Sequence, residues 1–250
     1  MILEVKNISK NFIIQRGFFK QEAGLVRALD NVSFSIEEFA TLGIVGESGS
    51  GKTTLAKIIL KLVLPTSGEI IYNNRIISNF RKDVQIIFQN PYNSLNPKMR
   101  IIDTLSEPLL IHRITPKKTF RNKAGELLDL VGLKKDALER RPIEFSGGQR
   151  QRICIARALA SQPKFIVLDE PISSLDLTIQ SQMLDLFIEL KQKFKLTYIF
   201  ISHNLAVIKQ IADSLIVMEA GSIVEQGTSN EIFKHPRKPY TKLLLESAGG

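Results

Sequence analysis

The stretch that most constrains the fold of this chain is "GESGSGKT", Gly46 to Thr53. It follows a short apolar run and leads into a helical apolar pattern, "KTTLAKIILKLVL". A sequence of the form G-x-x-x-x-G-K-[ST] between a strand and a helix wraps a phosphate in backbone N–H groups, and the helix N-terminus adds its positive field. Because both the pattern and its context are present, we favour a phosphate-binding loop over a merely flexible Gly/Ser loop.

Two residues at the end of this loop have side chains suited to a nucleotide and its metal ion. Lys52 supplies a positive charge to the β- and γ-phosphates of a nucleotide, and the Thr53 hydroxyl is a predicted Mg²⁺ ligand. The predicted nucleotide-binding residues here are Gly46, Glu47, Ser48, Gly49, Ser50, Gly51, Lys52, Thr53 and Thr54.

Four short, almost continuously apolar runs predict buried strands. They are Thr41–Val45, Val84–Phe88, Phe165–Leu168 and Thr197–Ser202. Such runs are typical of strands that are covered on both faces. Helical patterns separate several of them; the one before the last strand places on one face Ile179, Met183, Phe187, Leu190 and Phe194. Alternating strands and helices predict an α/β fold with a parallel sheet.

Other parts of the chain show different patterns. The first forty residues alternate between apolar and polar side chains, as antiparallel strands with one wet face do. From Asn96 to Glu144 the pattern is helical, and it includes a helix that begins after Thr115, has Pro116 in its first turn and is closed by Gly132. The stretch "SLIVMEAGSIVEQG" predicts a hairpin that turns at Ala220-Gly221.

Polar residues follow three of the predicted buried strands. If the strands are parallel, Gln89, Asp169, Glu170 and His203 share an edge with the phosphate loop. Asp169 suits Mg²⁺, and Glu170 suits a general base acting on the attacking water, which implies hydrolysis. The alternatives are a loop polar group for Gln89, a structural hydrogen bond for His203 and a helix cap for the two carboxylates.

A second anion-binding feature is "EFSGGQRQR", Glu144 to Arg152. Ser146 can cap the amide of Gln149, and the Gln149 side chain can reach back, which predicts a helix start. The cap does not need the two glycines that follow it. Gly147 and Gly148 leave the helix N-terminus bare, where exposed amides and the macrodipole favour an anion.

Composition and charge limit the class of protein. The one cysteine, Cys154, excludes a disulfide within the chain and fits a reducing cytosol. No apolar run approaches the ~18 residues that a membrane span needs, and the N-terminus does not have a signal-peptide pattern. The net charge of +9 is compatible with nucleic acid or anionic lipid. We favour a solvated basic surface, because the basic clusters lack interleaved aromatics.

Together these motifs resemble the ATP-binding-cassette (ABC) ATPases over nearly the whole chain. "GESGSGKT" resembles the Walker A motif, "FSGGQ" the ABC signature and "FIVLDE" the Walker B motif with its catalytic glutamate. Gln89, Ser173–Asp176 and His203 are similar to the Q-loop, D-loop and switch histidine. The resemblance implies ATP and Mg²⁺ as cofactors, with Mg²⁺ held by Thr53, Gln89 and Asp169, and Glu170, His203, Lys52 and Gln89 as catalytic residues.

The resemblance also implies a nucleotide sandwich. In the family two cassettes pair head to tail, so the signature residues Ser146, Gly147, Gly148 and Gln149 are expected to contact ATP bound to a neighbouring chain. Phe12 falls where family members stack an aromatic ring on adenine, although a core role in the N-terminal sheet is equally compatible. Two departures from the family pattern are Phe145 in place of the usual Leu, and Phe39-Ala40 where Gly-Glu is common.

Two further stretches, "NPYNSLNPKMRIIDTLSEPL" and "HPRKPYTKLLLES", resemble the oligopeptide, dipeptide and nickel importer group. This resemblance implies transmembrane permease subunits as partners, a second ATPase subunit of the same or a sister type, and a substrate-binding protein indirectly. The expected location is the cytoplasmic face of the inner membrane, as a peripheral subunit without nucleic acid. A soluble ABC ATPase acting on nucleic acid or ribosomes is the alternative, and an exporter cassette is less favoured.

The expected domain organisation is a single P-loop ABC cassette over residues 1–250. Its predicted parts are an N-terminal antiparallel β subdomain at about 1–42 and 68–82, an inserted helical subdomain at about 91–158, and the parallel-sheet core, with a C-terminal hairpin and tail at about 214–250.

Overall fold

The computed structural model describes residues 1–16 and 21–248. Residues 17–20 and 249–250, which belong to the predicted β subdomain and C-terminal tail, lie outside the described residues. The strands are β1 (Leu3–Arg16), β2 (Gln21–Ile36), β3 (Thr41–Val45), β4 (Ser67–Tyr72), β5 (Val84–Phe88), β6 (Phe165–Asp169), β7 (Thr197–Ile201), β8 (Ser214–Glu219) and β9 (Ser222–Thr228).

Helices separate several of the strands. The α-helices are α1 (Lys52–Ile59), α2 (Phe80–Asp83), α3 (Pro91–Ser94), α4 (Ile101–Ile111), α5 (Phe120–Leu130), α6 (Gly147–Ala160), α7 (Leu177–Phe194), α8 (Leu205–Ile211), α9 (Ser229–Lys234) and α10 (Pro239–Ala248). Short 3-10 helices cover Lys117–Thr119, Lys135–Glu139 and Pro142–Glu144. The residues fall into two compact units, one formed by Met1–Ile77 with Thr197–Gly250 and the other by Ser78–Leu196.

The first unit contains the predicted antiparallel sheet, in the strand order β2-β1-β4. Leu3 and Val5 of β1 are buried, and the next buried residue is Ile8, one position out of the alternating pattern. The pairing register shifts between Val5 and Ile8, where Asn7 has a φ of 50°. This bulge lets a strand with an irregular pattern keep one face against the core.

The same unit contains a parallel sheet built around β3. It pairs in parallel with β7 on one side and with β8 on the other, and β9 continues antiparallel from β8. Every residue of β3 and β7 is buried, as the near-continuous apolar runs predict. The predicted hairpin between β8 and β9 is confirmed, because Ala220 and Gly221 both have positive φ, as a tight primed turn requires.

The second unit combines the parallel pair β5–β6 with helices α2 to α7. The stretch from Asn96 to Glu144 is helical, as predicted. The predicted helix start is wrong, because Pro116 precedes a 3-10 turn and α5 begins only at Phe120. The helix ends at Leu130, shortly before Gly132, whose φ of +70° closes it as expected. Two burial expectations are wrong at element ends. Phe88, the last residue of β5, is 38% exposed, and Phe194, the last residue of α7, is 42% exposed.

Cys154 lies in α6 and is buried. Burial raises the pKa of its thiol to about 11, although the charge of Arg157 acts in the opposite direction. The thiol is therefore a poor nucleophile at neutral pH. Over residues 1–16 and 21–248, no helix has both the length and the apolar character to cross a bilayer.

The central strands should dominate the stability of the first unit. We predict that Ile199→Ala, at a fully buried position of β7, lowers the free energy of unfolding by about 2–5 kcal/mol, because it removes buried methyl groups and leaves a cavity. Urea denaturation followed by circular dichroism measures the change. Ile13→Ala is the matched control, since Ile13 is 55% exposed. Equal midpoints for the two variants would contradict the assigned core.

Candidate functional site

The phosphate loop begins where β3 ends, at Gly46, and passes into α1 at Lys52. Gly46, Gly49 and Gly51 have φ values of 147°, 84° and 102°, a region that favours glycine. A Cβ on Gly46 would lie 2.1 Å from the Met218 carbonyl oxygen. These glycines are therefore required by the loop conformation, which is the concave form that a phosphate needs.

Lys52 shapes the loop from within. Its Nζ donates hydrogen bonds to the carbonyl oxygens of Gly46 at 2.8 Å and Glu47 at 2.7 Å, and to Ser50 Oγ at 3.2 Å. The side chain is buried, whereas Ser48 and Thr53 are exposed. The loop thus offers a cation and solvent-facing donors, and this chemistry fits the phosphates of a nucleotide.

His203 belongs to the same unit as the phosphate loop. It directly follows Ser202 at the carboxyl end of β7 and is exposed. Ile201 of β7 pairs with Ile44 of β3 in parallel register, so both strands deliver their following residues to the same edge. The predicted convergence is confirmed for this pair of strands. Asn204, the next residue, caps α8.

In the second unit, β5 and β6 deliver the other candidate residues. Phe88 pairs with Asp169, so the residues that follow the two strands emerge together. Gln89 Nε2 donates to Glu170 Oε2 at 3.2 Å. The predicted convergence is confirmed for this pair as well, and it unites an amide with a carboxylate that the sequence separates by 81 positions.

Glu170 has an unusual backbone. Its φ is 50°, a left-handed conformation that is uncommon for a residue other than glycine. Its carbonyl oxygen accepts a hydrogen bond from the Ser173 hydroxyl at 3.1 Å, which ties it to the following turn. Such a conformation persists only where surrounding contacts maintain it. Asp169, directly before it, is buried at 6% exposure, and its carboxylate oxygens suit a hard cation such as Mg²⁺.

The start of α6 has the predicted capping box. Ser146 Oγ accepts from the Gln149 N–H at 3.3 Å, and Gln149 Oε1 accepts from the Ser146 N–H at 3.1 Å. Ser146 and Gln149 are exposed. The residue before the cap, Phe145, is buried, and the Arg140 guanidinium lies 4.4 Å from the centre of its ring. Phe145 therefore serves as the apolar anchor expected at this position.

The two glycines of this helix start differ in what they do for the fold. A Cβ on Gly148 would lie 2.9 Å from Ile179 Cγ2, so α7 excludes a side chain there. A Cβ on Gly147 would meet only Leu175 Cδ2, at an ordinary 3.8 Å. Packing within the unit does not require a glycine at position 147. A partner that approaches the helix end from outside would require one.

Two aromatic positions from the sequence analysis lie in the first unit. Phe12 is 42% exposed, and Lys10 Nζ lies 5.0 Å from the centre of its ring. Its core alternative is thereby disfavoured, because much of the ring faces solvent. Phe39 has a φ of 64°, and its N–H donates to Thr197 Oγ1 at 2.9 Å. That left-handed turn explains why a glycine suits this position better.

One pair near the signature helix was missed by the sequence analysis. The guanidinium of Arg150, in α6, lies 4.0 Å from the centre of the Tyr92 ring, in α3. Arg150 also donates to the carbonyl oxygens of Pro142 at 2.7 Å and Ile143 at 3.1 Å. The Gln-Arg-Gln-Arg run contains this arginine but gives no sign of its partner, 58 positions earlier in the chain.

Comparison with known proteins gives matches over most of the chain. A family model described as ABC transporter matches residues 29–173. The oligopeptide transport ATP-binding protein OppF of Streptococcus mutans is 50% identical over 255 residues, which cover 98% of this chain and 81% of that protein. The dipeptide transport ATP-binding protein DppF of Escherichia coli is 43% identical over 254 residues, covering 98% of this chain and 76% of that protein.

Solved structures match the fold as well. A dimeric, post-hydrolysis ATP-binding cassette, MJ0796, bound to ADP and Pi, superposes with a TM-score of 0.77 at 27% identity, covering 91% of this chain and 99% of that one. CbiO1 of Clostridium perfringens, part of the ABC transporter complex cbiONQ, gives a TM-score of 0.78 at 25% identity, covering 94% of this chain and 91% of that one.

The phosphate loop yields a direct test. We predict that Lys52→Ala weakens ATP binding by about 10- to 100-fold, because the variant loses a charged hydrogen-bond donor. Isothermal titration calorimetry measures the dissociation constant. Lys57→Ala, on the exposed face of the same helix, is the control and should bind as the unaltered protein does. Unchanged affinity in the Lys52 variant would exclude this loop as the phosphate site.

Proposed function

Because the chain belongs to the ABC transporter family, we propose that it is the ATP-hydrolysing subunit of an importer that takes up peptides through a separate transmembrane permease. The observation that carries this proposal is the 43–50% identity, over 98% of the chain, to proteins named for oligopeptide and dipeptide transport. Every residue that the chemistry needs is present at its expected position in the sequence.

The proposed roles follow the chemistry of each group. ATP binds through the phosphate loop, and Phe12 stacks on the adenine. Mg²⁺, when bound, neutralises phosphate charge, and Thr53, Gln89 and Asp169 are the residues that would hold it. Their hydroxyl, amide and carboxylate oxygens are ligands that Mg²⁺ accepts.

Glu170 is the proposed general base for the water that attacks the γ-phosphate. Its hydrogen bond from Gln89 holds the carboxylate on one side, and its left-handed backbone fixes the direction in which the side chain leaves β6. His203 is the proposed contact to the γ-phosphate at the end of β7. Hydrolysis then removes the γ-phosphate, the group on which Glu170 and His203 are proposed to act.

The capped start of α6 is proposed to bind the ATP of a second ATPase subunit, of the same or a sister type. Its N–H groups and helix field favour an anion, and the bare surface at Gly147 has no explanation within the unit. ATP can close such a pair only if it binds the closed form more tightly than the open one. The contact from Ser146 exists only in the closed form and supplies that difference.

The permease is proposed to dock beside α3. Tyr92 and Ile143 are 63% and 72% exposed, and together with Pro91, Leu95 and Pro97 they border an apolar groove. Arg150 lies under this groove against Tyr92 and belongs to the helix that carries the signature. A movement of α6 on ATP binding would therefore reach the docked permease through the contact of Arg150 with Tyr92. The proposed location of the subunit, bound to this permease, is the cytoplasmic face of the membrane.

The alternative, a soluble ATPase acting on nucleic acid or ribosomes, rests on the net charge of +9. The relatives named above, which are identical at 43–50% of positions, carry transport names. The sequence similarity therefore favours the transport function over the alternative.

The general base can be tested by an isosteric change. We predict that Glu170→Gln lowers the steady-state rate of ATP hydrolysis by about 10²- to 10⁴-fold, because the amide cannot accept the proton of the attacking water. ATP should still bind and should trap a dimer that gel filtration detects. Glu246→Gln, an exposed change in α10, is the control. Normal turnover in the Glu170 variant would refute this assignment.

The exposed signature can be tested by blocking it. We predict that Ser146→Arg reduces hydrolysis at least about tenfold while leaving ATP affinity of the isolated chain unchanged, because the long side chain obstructs the face offered to the second subunit. Ser146→Ala separates this effect from loss of the helix cap, which costs about 1 kcal/mol of stability. Native rates in the arginine variant would contradict a role for this face in the dimer.

A further inference from the structure

Beyond the motif residues, the phosphate loop has a support in the C-terminal helix. The Tyr240 hydroxyl, in the first turn of α10, accepts a hydrogen bond from the Glu47 N–H at 3.1 Å. The two residues are 193 positions apart in the sequence. Glu47 is the second residue of the loop, directly after the strand that delivers it.

The backbone around Glu47 is also held by the loop itself: the carbonyl oxygen of the peptide that contains the Glu47 N–H, which is that of Gly46, accepts from Lys52 Nζ at 2.8 Å. The next peptide group is that of Glu47. Its carbonyl oxygen accepts from Lys52 Nζ at 2.7 Å and from the Ser50 N–H at 3.1 Å. Lys52 must turn toward the phosphates when a nucleotide binds, so its hold on Glu47 is temporary. The hydrogen bond from the Glu47 N–H to Tyr240 does not involve the lysine, so it can persist both with and without bound nucleotide.

Tyr240 is itself rigidly placed. The Glu225 carboxylate accepts the backbone N–H groups of Arg237 at 2.9 Å and Lys238 at 3.1 Å, directly before α10. Pro236 and Pro239 restrict the backbone of the same segment. The Tyr240 hydroxyl therefore contacts the loop from a backbone segment that has little conformational freedom.

Glu225, which anchors this segment, is connected through strand pairing to β3, the strand that directly precedes the loop. Glu225 lies in β9 and pairs with Val217 of β8, which in turn pairs with Val45, the last residue of β3. The hairpin that joins β8 and β9 also contacts the loop, since the Gly221 N–H donates to the Ser50 carbonyl oxygen at 3.1 Å. The loop is thus enclosed by contacts from the C-terminal part of its own unit.

We propose that Tyr240 is a positioning residue for ATP binding, whose hydroxyl fixes the Glu47 peptide while Lys52 leaves the loop for the phosphates. This inference rests on the proposed function. Partial burial raises the pKa of the Tyr240 hydroxyl, although the Glu47 N–H acts in the opposite direction, so the group is neutral at physiological pH. A neutral hydroxyl can accept this hydrogen bond without adding negative charge next to the phosphates.

The experiment compares Tyr240→Phe, which removes only the hydroxyl, with the unaltered chain. We expect the dissociation constant for ATP and the KM for ATP to rise about 3- to 10-fold, the range for loss of one hydrogen bond. The kcat should stay within about twofold, because Tyr240 does not touch the reacting atoms. Leu243→Ala is the matched control on α10, since its side chain is 62% exposed; it should change neither constant.

A second readout is independent of nucleotide. Amide hydrogen exchange followed by NMR should show faster exchange at Glu47 in Tyr240→Phe than in the unaltered chain, with no change in the core strand β3. Equal ATP affinity together with equal Glu47 exchange would overturn the proposal. If the unaltered chain bound no ATP, the proposed function would fail, and the exchange comparison would still decide whether Tyr240 holds the loop.

Discussion

Backbone N–H groups bind a phosphate well only when other contacts hold them in a concave loop. In this chain the loop is Gly46–Thr53, and the proposed nucleotide site depends on the contacts that hold it. Three glycines with positive φ make the shape possible, and Lys52 occupies its interior by bonding to Gly46 and Glu47. That arrangement keeps the ammonium group satisfied until phosphate oxygens replace the carbonyls. Contacts from Tyr240 and Gly221 then keep the loop in place from outside. We therefore propose that phosphate binding exchanges hydrogen bonds within a loop that is already in place.

The start of α6 is the second proposed anion site, and it differs in kind from the loop. Its cap is complete within the chain, and Gly148 is needed for packing against Ile179. Gly147 is not needed by its own unit, so its bare surface points to a ligand that the chain does not itself hold. One protein with a phosphate loop and a separate exposed anion site is chemically redundant as a monomer. In the proposed head-to-tail pair, the two sites would contact the same triphosphate, and hydrolysis with Glu170 as the proposed base would separate the pair.

Local patterns allowed much of the fold and most of the candidate site to be predicted. The phosphate loop, the buried strands, the hairpin at Ala220-Gly221 and the Ser146 cap depend on neighbours within a few residues, and the structure contains each of them.

The bulge at Asn7 was not predictable, because it depends on pairing with distant strands. The contacts of Tyr240 with Glu47 and of Arg150 with Tyr92 join residues far apart in sequence, and one chain without an alignment gives no signal for either. The residue types are the basis of the proposed chemistry, whereas the contacts that support the site were found only in the three-dimensional structure.

We propose that ATP joins two cassettes, where it is bound by the Lys52 loop of one subunit and by the Ser146 helix start of the other. The most direct test is a structure of the assembled transporter with Mg²⁺ and ATP, using the variant that cannot hydrolyse the nucleotide. We predict that the Ser146 hydroxyl and the N–H groups of Gly147 and Gly148 lie within hydrogen-bond distance of a γ-phosphate bound to Lys52 of the opposite subunit. A structure in which those groups face solvent, with each triphosphate contacted by one subunit alone, would contradict it.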